Sequence, residues 1–121
     1  MVSHHEDDEQ AALFKWAAYF PELRWLHAIP NGGNRNAREA ARLKAQGVKP
    51  GVYDVFLPLP AGDWHGLYIE IKRTKRQGRS NISDSQKCFG NAMQERGYKA
   101  IVCYGAAEAI TAIRNYKSLI E

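Results

Sequence analysis

The stretch VYDVFLPLPAGDWHGLYIEIK, residues 52–72, decides how this chain folds. Two apolar runs, at residues 52–59 and 66–72, have the composition of buried strands. Between them lies the sequence PAGD, whose proline and glycine favour a turn. The stretch therefore predicts a β-hairpin that is centred near Gly62.

One acidic residue interrupts each strand of this hairpin. A turn centred near Gly62 places Asp54 opposite Glu70, with their Cβ atoms about 5 Å apart. Lys72 follows Glu70 by two residues, so its side chain points to the same face. Carboxylates in apolar strands are costly unless they are paired, protonated or bound to a cation. Either a divalent cation shared by the two acids or a structural salt bridge to Lys72 explains the pattern.

A cation between two carboxylates, with a lysine beside it, suits the hydrolysis of phosphodiester bonds. The metal lowers the pKa of a bound water and neutralises the charge that builds on the scissile phosphate. The Lys72 ammonium orients that water or stabilises the pentacovalent transition state. The cation explanation therefore makes Asp54, Glu70 and Lys72 candidate catalytic residues.

The rest of the chain surrounds the hairpin with helices and two more strands. Hydrophobic periodicity and the glycine and proline stops predict the order α-β-α-β-β-α-β-α, an α/β fold with one domain over residues 1–121. A capping box from Ser83 to Gln86 opens the third helix. Helices are predicted over residues 6–20, 36–46, 83–96 and 106–119, and the other strands over residues 24–29 and 98–104.

The first predicted helix carries an acid on its apolar side. Glu6 falls near the middle of the stripe that includes Leu13 and Trp16, and Glu9 lies at its margin. An acid at a helix start either complements the helix dipole or serves a site that the helix faces. Trp16 and Trp25 are both predicted to lie in the core.

Composition limits the class of protein. The chain has 121 residues, of which 45% are hydrophobic, so it can build one core without disulfides or a metal. The N-terminus is acidic, unlike a signal peptide, and no apolar run approaches the roughly 18 residues that span a bilayer. Cys88 and Cys103 are predicted to be free thiols in a reducing compartment, so we expect a cytoplasmic protein without a membrane partner.

Charge is distributed unevenly along the sequence. The net charge is +4, but residues 1–30 hold five acids and two bases, which leaves 15 bases and 8 acids beyond residue 30. Such a balance favours a polyanionic partner, although a solvated charged surface explains any single cluster. The two basic clusters are Arg35, Arg38, Arg42, Lys44 and Lys49, and Lys72, Arg73, Lys75, Arg76 and Arg79.

The spacing of the acids and the lysine resembles a known nuclease signature. Asp54 followed by Glu70-Ile71-Lys72 is similar to the PD-(D/E)xK motif, and the flanking sequence resembles its VRR-NUC branch, the virus-type replication-repair nucleases. The supporting segments run in family order through nearly the whole chain: Glu6 with Gln10, IPNGG at 29–33, LKAQGVKPGVYD at 43–54, GLYIEIK at 66–72, Ser85-Gln86 and Gly97-Tyr98. One departure is Tyr53, where the family usually has a proline.

The resemblance implies a restriction-endonuclease-like core, a mixed sheet flanked by helices, that cleaves DNA with Mg²⁺ or Mn²⁺. It implies metal ligation by Asp54, Glu70 and the carbonyl of Ile71, with Lys72 catalytic. It also implies that an acid of the first helix faces the metal, and the helical periodicity favours Glu6 over Glu9. Gln86 matches the family's helix glutamine near the site and is assigned a catalytic role. The residues predicted to bind DNA phosphates belong to the two basic clusters: Arg35, Arg38, Arg73, Lys75, Arg76 and Arg79.

Standalone domains of this size resemble Holliday-junction resolvases, which implies branched DNA as the substrate and a homodimer as the active form. Two other functions remain open from the sequence. One is a non-catalytic nucleic-acid-binding module on the same fold, and the other is a nuclease that acts on RNA or on other DNA structures.

Overall fold

The elements occur in the predicted order. The computed structural model describes residues 5–30, 36–78 and 80–121. Within these ranges, short 3₁₀ turns at Pro21–Leu23 and Lys75–Gln77 accompany the regular elements. These are α1 (His5–Ala17), β1 (His27–Ala28), α2 (Ala37–Ala45), β2 (Val55–Leu57), β3 (Leu67–Lys72), α3 (Asp84–Glu95), β4 (Lys99–Tyr104) and α4 (Ala106–Lys117).

The hairpin forms the centre of a mixed four-stranded sheet with the order β1-β2-β3-β4. β2 is antiparallel to β1 and β3, and β4 is parallel to β3. Val55 lies opposite Ile69 and Leu57 opposite Leu67, which confirms the turn near Gly62. Gly62 itself has a φ of 59°, a conformation that glycine adopts without strain. The expected α/β fold with a mixed sheet is confirmed.

The two faces of the sheet differ in chemistry because strand residues alternate in direction. One face carries Val55, Leu57, Leu67, Ile69 and Ile71, which are almost completely buried in the hydrophobic core. Helices α1 and α4 pack on each other and on β3 to close this core. The other face carries the charged residues of β3, and it is therefore the face on which a polar site can form.

The capping box at α3 is confirmed. The Ser83 hydroxyl accepts the N–H of Gln86 at 3.2 Å, and the Gln86 side-chain oxygen accepts the N–H of Ser83 at 2.9 Å. These two bonds satisfy backbone donors that the first turn of a helix leaves free. They also fix the position of the Gln86 side chain at the start of α3.

The second strand is shorter than predicted. β2 begins at Val55, so Asp54 precedes the strand and does not interrupt it. The carboxylate of Asp54 accepts the N–H of Ile71 at 2.7 Å and so takes the place of a β2 backbone carbonyl. Regular pairing between β2 and β3 therefore ends at Asp54 because a side chain replaces the backbone partner.

The prediction that Trp25 lies in the core is wrong. Trp25 is 66% exposed, and the Arg24 guanidinium lies 5.7 Å from the centre of its ring. The strand that follows, β1, has only two residues, both exposed, at the edge of the sheet. Position before this edge strand does not decide burial, because the next residue, Leu26, is part of the core. Trp16, by contrast, packs against the core.

None of the helices within the described ranges combines the length and the hydrophobicity that a bilayer-spanning helix requires.

Glu9 connects α1 to the start of α4. Its Oε1 accepts the N–H of Ala106 at 2.8 Å, and its Oε2 accepts a hydrogen bond from the Gln77 side chain at 3.4 Å. The N–H of Gly105 is bonded in turn to the carbonyl of Lys72 at 2.8 Å. Glu9 therefore caps α4 next to the end of β3, which is a structural contact.

We predict that Glu9→Ala lowers the free energy of unfolding by about 1 kcal/mol, because the Ala106 N–H loses its capping acceptor. Urea denaturation monitored by circular dichroism measures the change. Asp8→Ala is the matched control, since Asp8 is an exposed acid in the same first turn of α1. An equal loss of stability in the two variants would contradict the capping contact.

Candidate active site

A pocket of about 550 Å³ opens on the polar face of the sheet. The side chains that line it include Glu6, Asp54, Glu70, Lys72 and Gln86, which are the acids, the lysine and the glutamine predicted from the sequence. They come from α1, the residue before β2, β3 and the first turn of α3. The fold thus brings together residues that lie up to 80 positions apart in the chain.

The backbone of the sheet holds Asp54 in place. Its carbonyl oxygen accepts the N–H of Ile29 at 2.7 Å, while its Oδ2 accepts the N–H of Ile71. The continuation of the β2–β3 register puts Asp54 opposite Glu70, as predicted. With one carboxylate oxygen bonded to β3, the Asp54 side chain is oriented before any ligand binds.

Glu70, Lys72 and Gln86 form one hydrogen-bonded group. The Gln86 amide donates from Nε2 to Glu70 Oε2 at 2.8 Å, and its Oε1 accepts from the Lys72 Nζ at 3.2 Å. The Lys72 ammonium also lies 3.4 Å from Glu70 Oε2. Glu70 and Lys72 are only 3% and 7% exposed, so the pair is almost fully removed from solvent.

The environment of Glu70 disfavours its charged form. Burial raises the pKa of Glu70 to about 7, and the neighbouring Asp54 carboxylate adds to the shift, while Lys72 opposes it. Glu70 Oε1 is buried and, among the described residues, has no hydrogen-bond partner. A buried carboxylate oxygen without a donor is rare in folded proteins and requires an explanation.

The acid of α1 that reaches this pocket is Glu6. Its side chain lines the pocket, and its Oε1 lies 3.4 Å from the hydroxyl of Ser80. Its negative charge contributes to the raised pKa of Glu70. Glu9 instead caps α4, and it does not line the pocket. The geometry therefore agrees with the preference of the helical periodicity for Glu6.

The donors in the pocket fit a small, hard cation. Within residues 5–30, 36–78 and 80–121, no three His, Cys, Asp or Glu side chains form a preassembled metal cluster. Mg²⁺, however, is usually held by one or two carboxylates together with waters and substrate phosphates. Asp54 and Glu70, whose Oε1 has no hydrogen-bond partner among the described residues, match that minimal set.

Tyr53 replaces the expected proline without disturbing the acid beside it. The Tyr53 side chain is buried, and its ring lies 5.3 Å from the ring of Phe89 on α3. Gly90 makes room for the Tyr53 hydroxyl, because a Cβ atom at Gly90 would collide with it. The tyrosine thus packs the segment before β2, which includes Asp54, against α3.

The predicted DNA-binding residues differ in their exposure. Lys75 and Arg76 are exposed on the 3₁₀ turn that follows β3, and Arg38 is exposed on α2. Arg73 is half-buried, and its guanidinium lies close to Gly78. The structure therefore presents Lys75 and Arg76, more than Arg73, to a ligand. Arg35 and Arg79 lie outside the described residues.

Two further lysines line the pocket although the sequence pattern did not assign them to the site. Lys44 and Lys49 belong to the first basic cluster, and the structure places both on the pocket wall. Both lysines lie in the segment LKAQGVKPGVYD, which ends at Asp54, and this proximity in sequence was the signal that could have placed them near the site.

Two comparisons with known proteins give matches that cover most or all of the chain. The family model of the VRR-NUC domain matches residues 3–107. A solved structure described as a VRR_NUC domain protein superposes with a TM-score of 0.84 and is 29% identical. The match covers 100% of this chain and 94% of that one. No curated protein is significantly similar to the chain in sequence.

We predict that Glu70→Gln raises the melting temperature at pH 8, in EDTA, by at least about 3 °C. Because the pKa of Glu70 rises from its ordinary value of 4.5 to about 7 on folding, the folded state binds more protons between these values. Stability from this group is therefore lost as the pH rises through that window. Glutamine mimics the protonated acid and avoids the loss.

The stabilisation should shrink towards zero at pH 4, where Glu70 is protonated in the folded and unfolded states. Differential scanning calorimetry from pH 4 to pH 8 measures it. Glu95→Gln, at an exposed site on α3, is the control and should show no such trend. A gain for Glu70→Gln that is constant across this range would refute the burial effect.

Proposed function

The chain belongs to the VRR-NUC domain family, a family of nuclease-type domains, and from that premise we propose that it is a metal-dependent DNA endonuclease. The observation that carries the proposal is the buried Glu70, which lines the pocket together with Asp54 and Lys72. Among the described residues, its Oε1 has no hydrogen-bond partner. A non-catalytic fold has no need for this costly arrangement. A nuclease uses it to hold a cation and a charged lysine at one phosphate.

Asp54, Glu70 and the backbone carbonyl of Ile71 would hold Mg²⁺ or Mn²⁺, with Glu6 assisting directly or through water. The bound metal supplies Lewis acidity that activates water and offsets negative charge on the phosphate. The hydrogen bond from Ile71 to Asp54 fixes one ligand relative to the strand that carries the other.

Lys72 places a positive charge where the phosphate reacts. Its ammonium is held by Gln86 and Glu70, so among the described residues two of its three hydrogens have partners. The third would serve the attacking water or a phosphate oxygen. Burial excludes competing water and strengthens the effect of this charge on the transition state. Gln86 is a positioning residue, because its amide orients both Glu70 and Lys72.

We further propose branched DNA, such as a four-way junction, as the substrate and a homodimer as the active form. Each chain contains one set of catalytic residues, and two copies would cut the two strands that resolution of a junction requires. Lys75, Arg76 and Arg38 are exposed and would bind backbone phosphates without reading sequence. Cys88 and Cys103 are free thiols, which supports a reducing, intracellular setting.

We predict that Asp54→Asn and Lys72→Ala each reduce cleavage by at least about 100-fold, because each removes a charge that the reaction needs. Binding of labelled DNA in Ca²⁺ should persist in both variants. Asp63→Asn and Lys15→Ala are the matched controls, since both residues are exposed and neither lines the pocket. Cleavage at the wild-type rate by either active-site variant would contradict the catalytic role assigned to that residue.

We predict that millimolar Mg²⁺ or Mn²⁺ raises the melting temperature of the wild-type chain by a few degrees, because the ligand binds only the folded state. The shift should disappear in Asp54→Asn and persist in Asp63→Asn, and EDTA should abolish cleavage. Thermal denaturation with and without metal measures this. Cleavage that continues in EDTA would contradict a metal-dependent enzyme.

The substrate proposal needs a separate assay. Four-way junction, flap, linear duplex and single-stranded DNA are compared at equal concentration, with an RNA duplex as a further substrate. Preferential cleavage of the junction would support the proposal. Equal rates on all the DNA structures would support a nuclease without structural selectivity, and faster RNA cleavage would overturn the choice of DNA.

A further inference from the structure

Helix α2 is poorly anchored to the rest of the protein. None of its nine residues, all of which are described, is buried. The helices that pack closely on the sheet or on one another are α1, α3 and α4. A helix of nine residues is marginal in water without tertiary contacts. Its own stabilising features are local: Asn36 caps its first turn, and Glu39 pairs with Arg42.

The same helix forms one wall of the catalytic pocket. Ala40, Leu43 and Lys44 on α2 line the pocket, and Val48 and Lys49 continue the wall beyond the helix. The N–H of Val48 bonds to the carbonyl of Leu43 at 3.0 Å, so the segment after α2 is tied to the helix. We name residues 37–49 the pocket arm.

The pocket arm is joined to the catalytic core at a fixed point just beyond its end. Gly51 lies directly against the backbone of Ser85, and a Cβ atom at Gly51 would collide with it. Gly51 also has a φ of 89°, which disfavours other residues. The attachment to α3 therefore holds the chain between the pocket arm and Asp54 close to the site.

The charges of the pocket arm complement a phosphate backbone. Lys44 and Lys49 are exposed, and among the described residues neither side chain has a hydrogen-bond or ion-pair partner. They line the same pocket as Glu6, Asp54 and Glu70, yet they pair with none of these acids. Two lysine side chains that have no partner in the described part of the chain, on the wall of a phosphodiesterase pocket, are placed to contact the strand that enters it.

We propose that the pocket arm is a clamp for the DNA strand that enters the site, with Lys44 and Lys49 as its phosphate contacts. This inference rests on the proposed nuclease function and adds a binding element to it. Because α2 gains little from packing in the free protein, contact with the strand would stabilise it. The clamp and the basic turn at Lys75–Gln77 would then both hold the substrate at the pocket.

The test measures DNA binding in Ca²⁺, without cleavage, for Lys44→Gln/Lys49→Gln over a range of salt concentrations. The double variant should bind a labelled four-way junction at least about tenfold more weakly, and the slope of log K against log salt should fall by nearly two. Lys44→Arg/Lys49→Arg keeps both charges and should restore binding. Lys15→Gln, an exposed lysine of α1 outside the pocket, is the matched control and should bind normally.

Hydrogen exchange supplies an independent measurement. Backbone amides of residues 41–45 should exchange more slowly when DNA is bound in Ca²⁺, while those of α3 should change less. A salt slope equal to that of the wild-type chain, or unchanged exchange in α2, would overturn the clamp.

The outcomes separate the clamp from the proposed function. If the wild-type chain cleaves DNA and shows a metal-induced rise in melting temperature, but the double variant binds normally, the clamp alone is wrong. If the double variant binds weakly while its metal-induced shift is intact, the clamp is supported. If the wild-type chain neither binds nor cleaves nucleic acid, the proposed function fails and the clamp fails with it.

Discussion

The placement of one carboxylate just before β2 and of another, almost fully buried, opposite it on β3 is the constraint on which the site depends. Asp54 and Glu70 repel each other across β2 and β3, and burial makes the charge of Glu70 still more costly. The chain keeps both acids by giving Asp54 a backbone donor from Ile71 and by placing Lys72 beside Glu70. Among the described residues, the Oε1 oxygen of Glu70 has no hydrogen-bond partner. A divalent cation would relieve the repulsion that the free protein retains.

The Gln86 side chain both stabilises the fold and orients residues of the candidate site. Gln86 completes the capping box of α3 and, with the same amide group, contacts Glu70 and Lys72. The first turn of α3 and the orientation of Glu70 and Lys72 therefore depend on the same Gln86 side chain. Ser83 takes part through the cap, because its hydroxyl accepts the N–H of Gln86 and its own N–H donates to the Gln86 side chain.

The first helix shows how two similar acids acquire different roles. Glu6 and Glu9 are separated by less than one helical turn, and both are acids in a helix that begins next to the site. Glu9 accepts the N–H of Ala106 at the start of α4, whereas Glu6 lines the candidate pocket. Helical periodicity favours Glu6 but does not identify the partner of Glu9, because that partner lies 97 residues away in the sequence.

The sequence by itself determined the order of the elements, the hairpin register and the common face of Asp54, Glu70 and Lys72. These features follow from a period of two residues and from local turn chemistry, which act over short stretches of chain. Only the tertiary structure decided that Trp25 is exposed and that the wall of the pocket includes Lys44. Both depend on whether a distant element covers the residue, and local patterns carry no information about such packing.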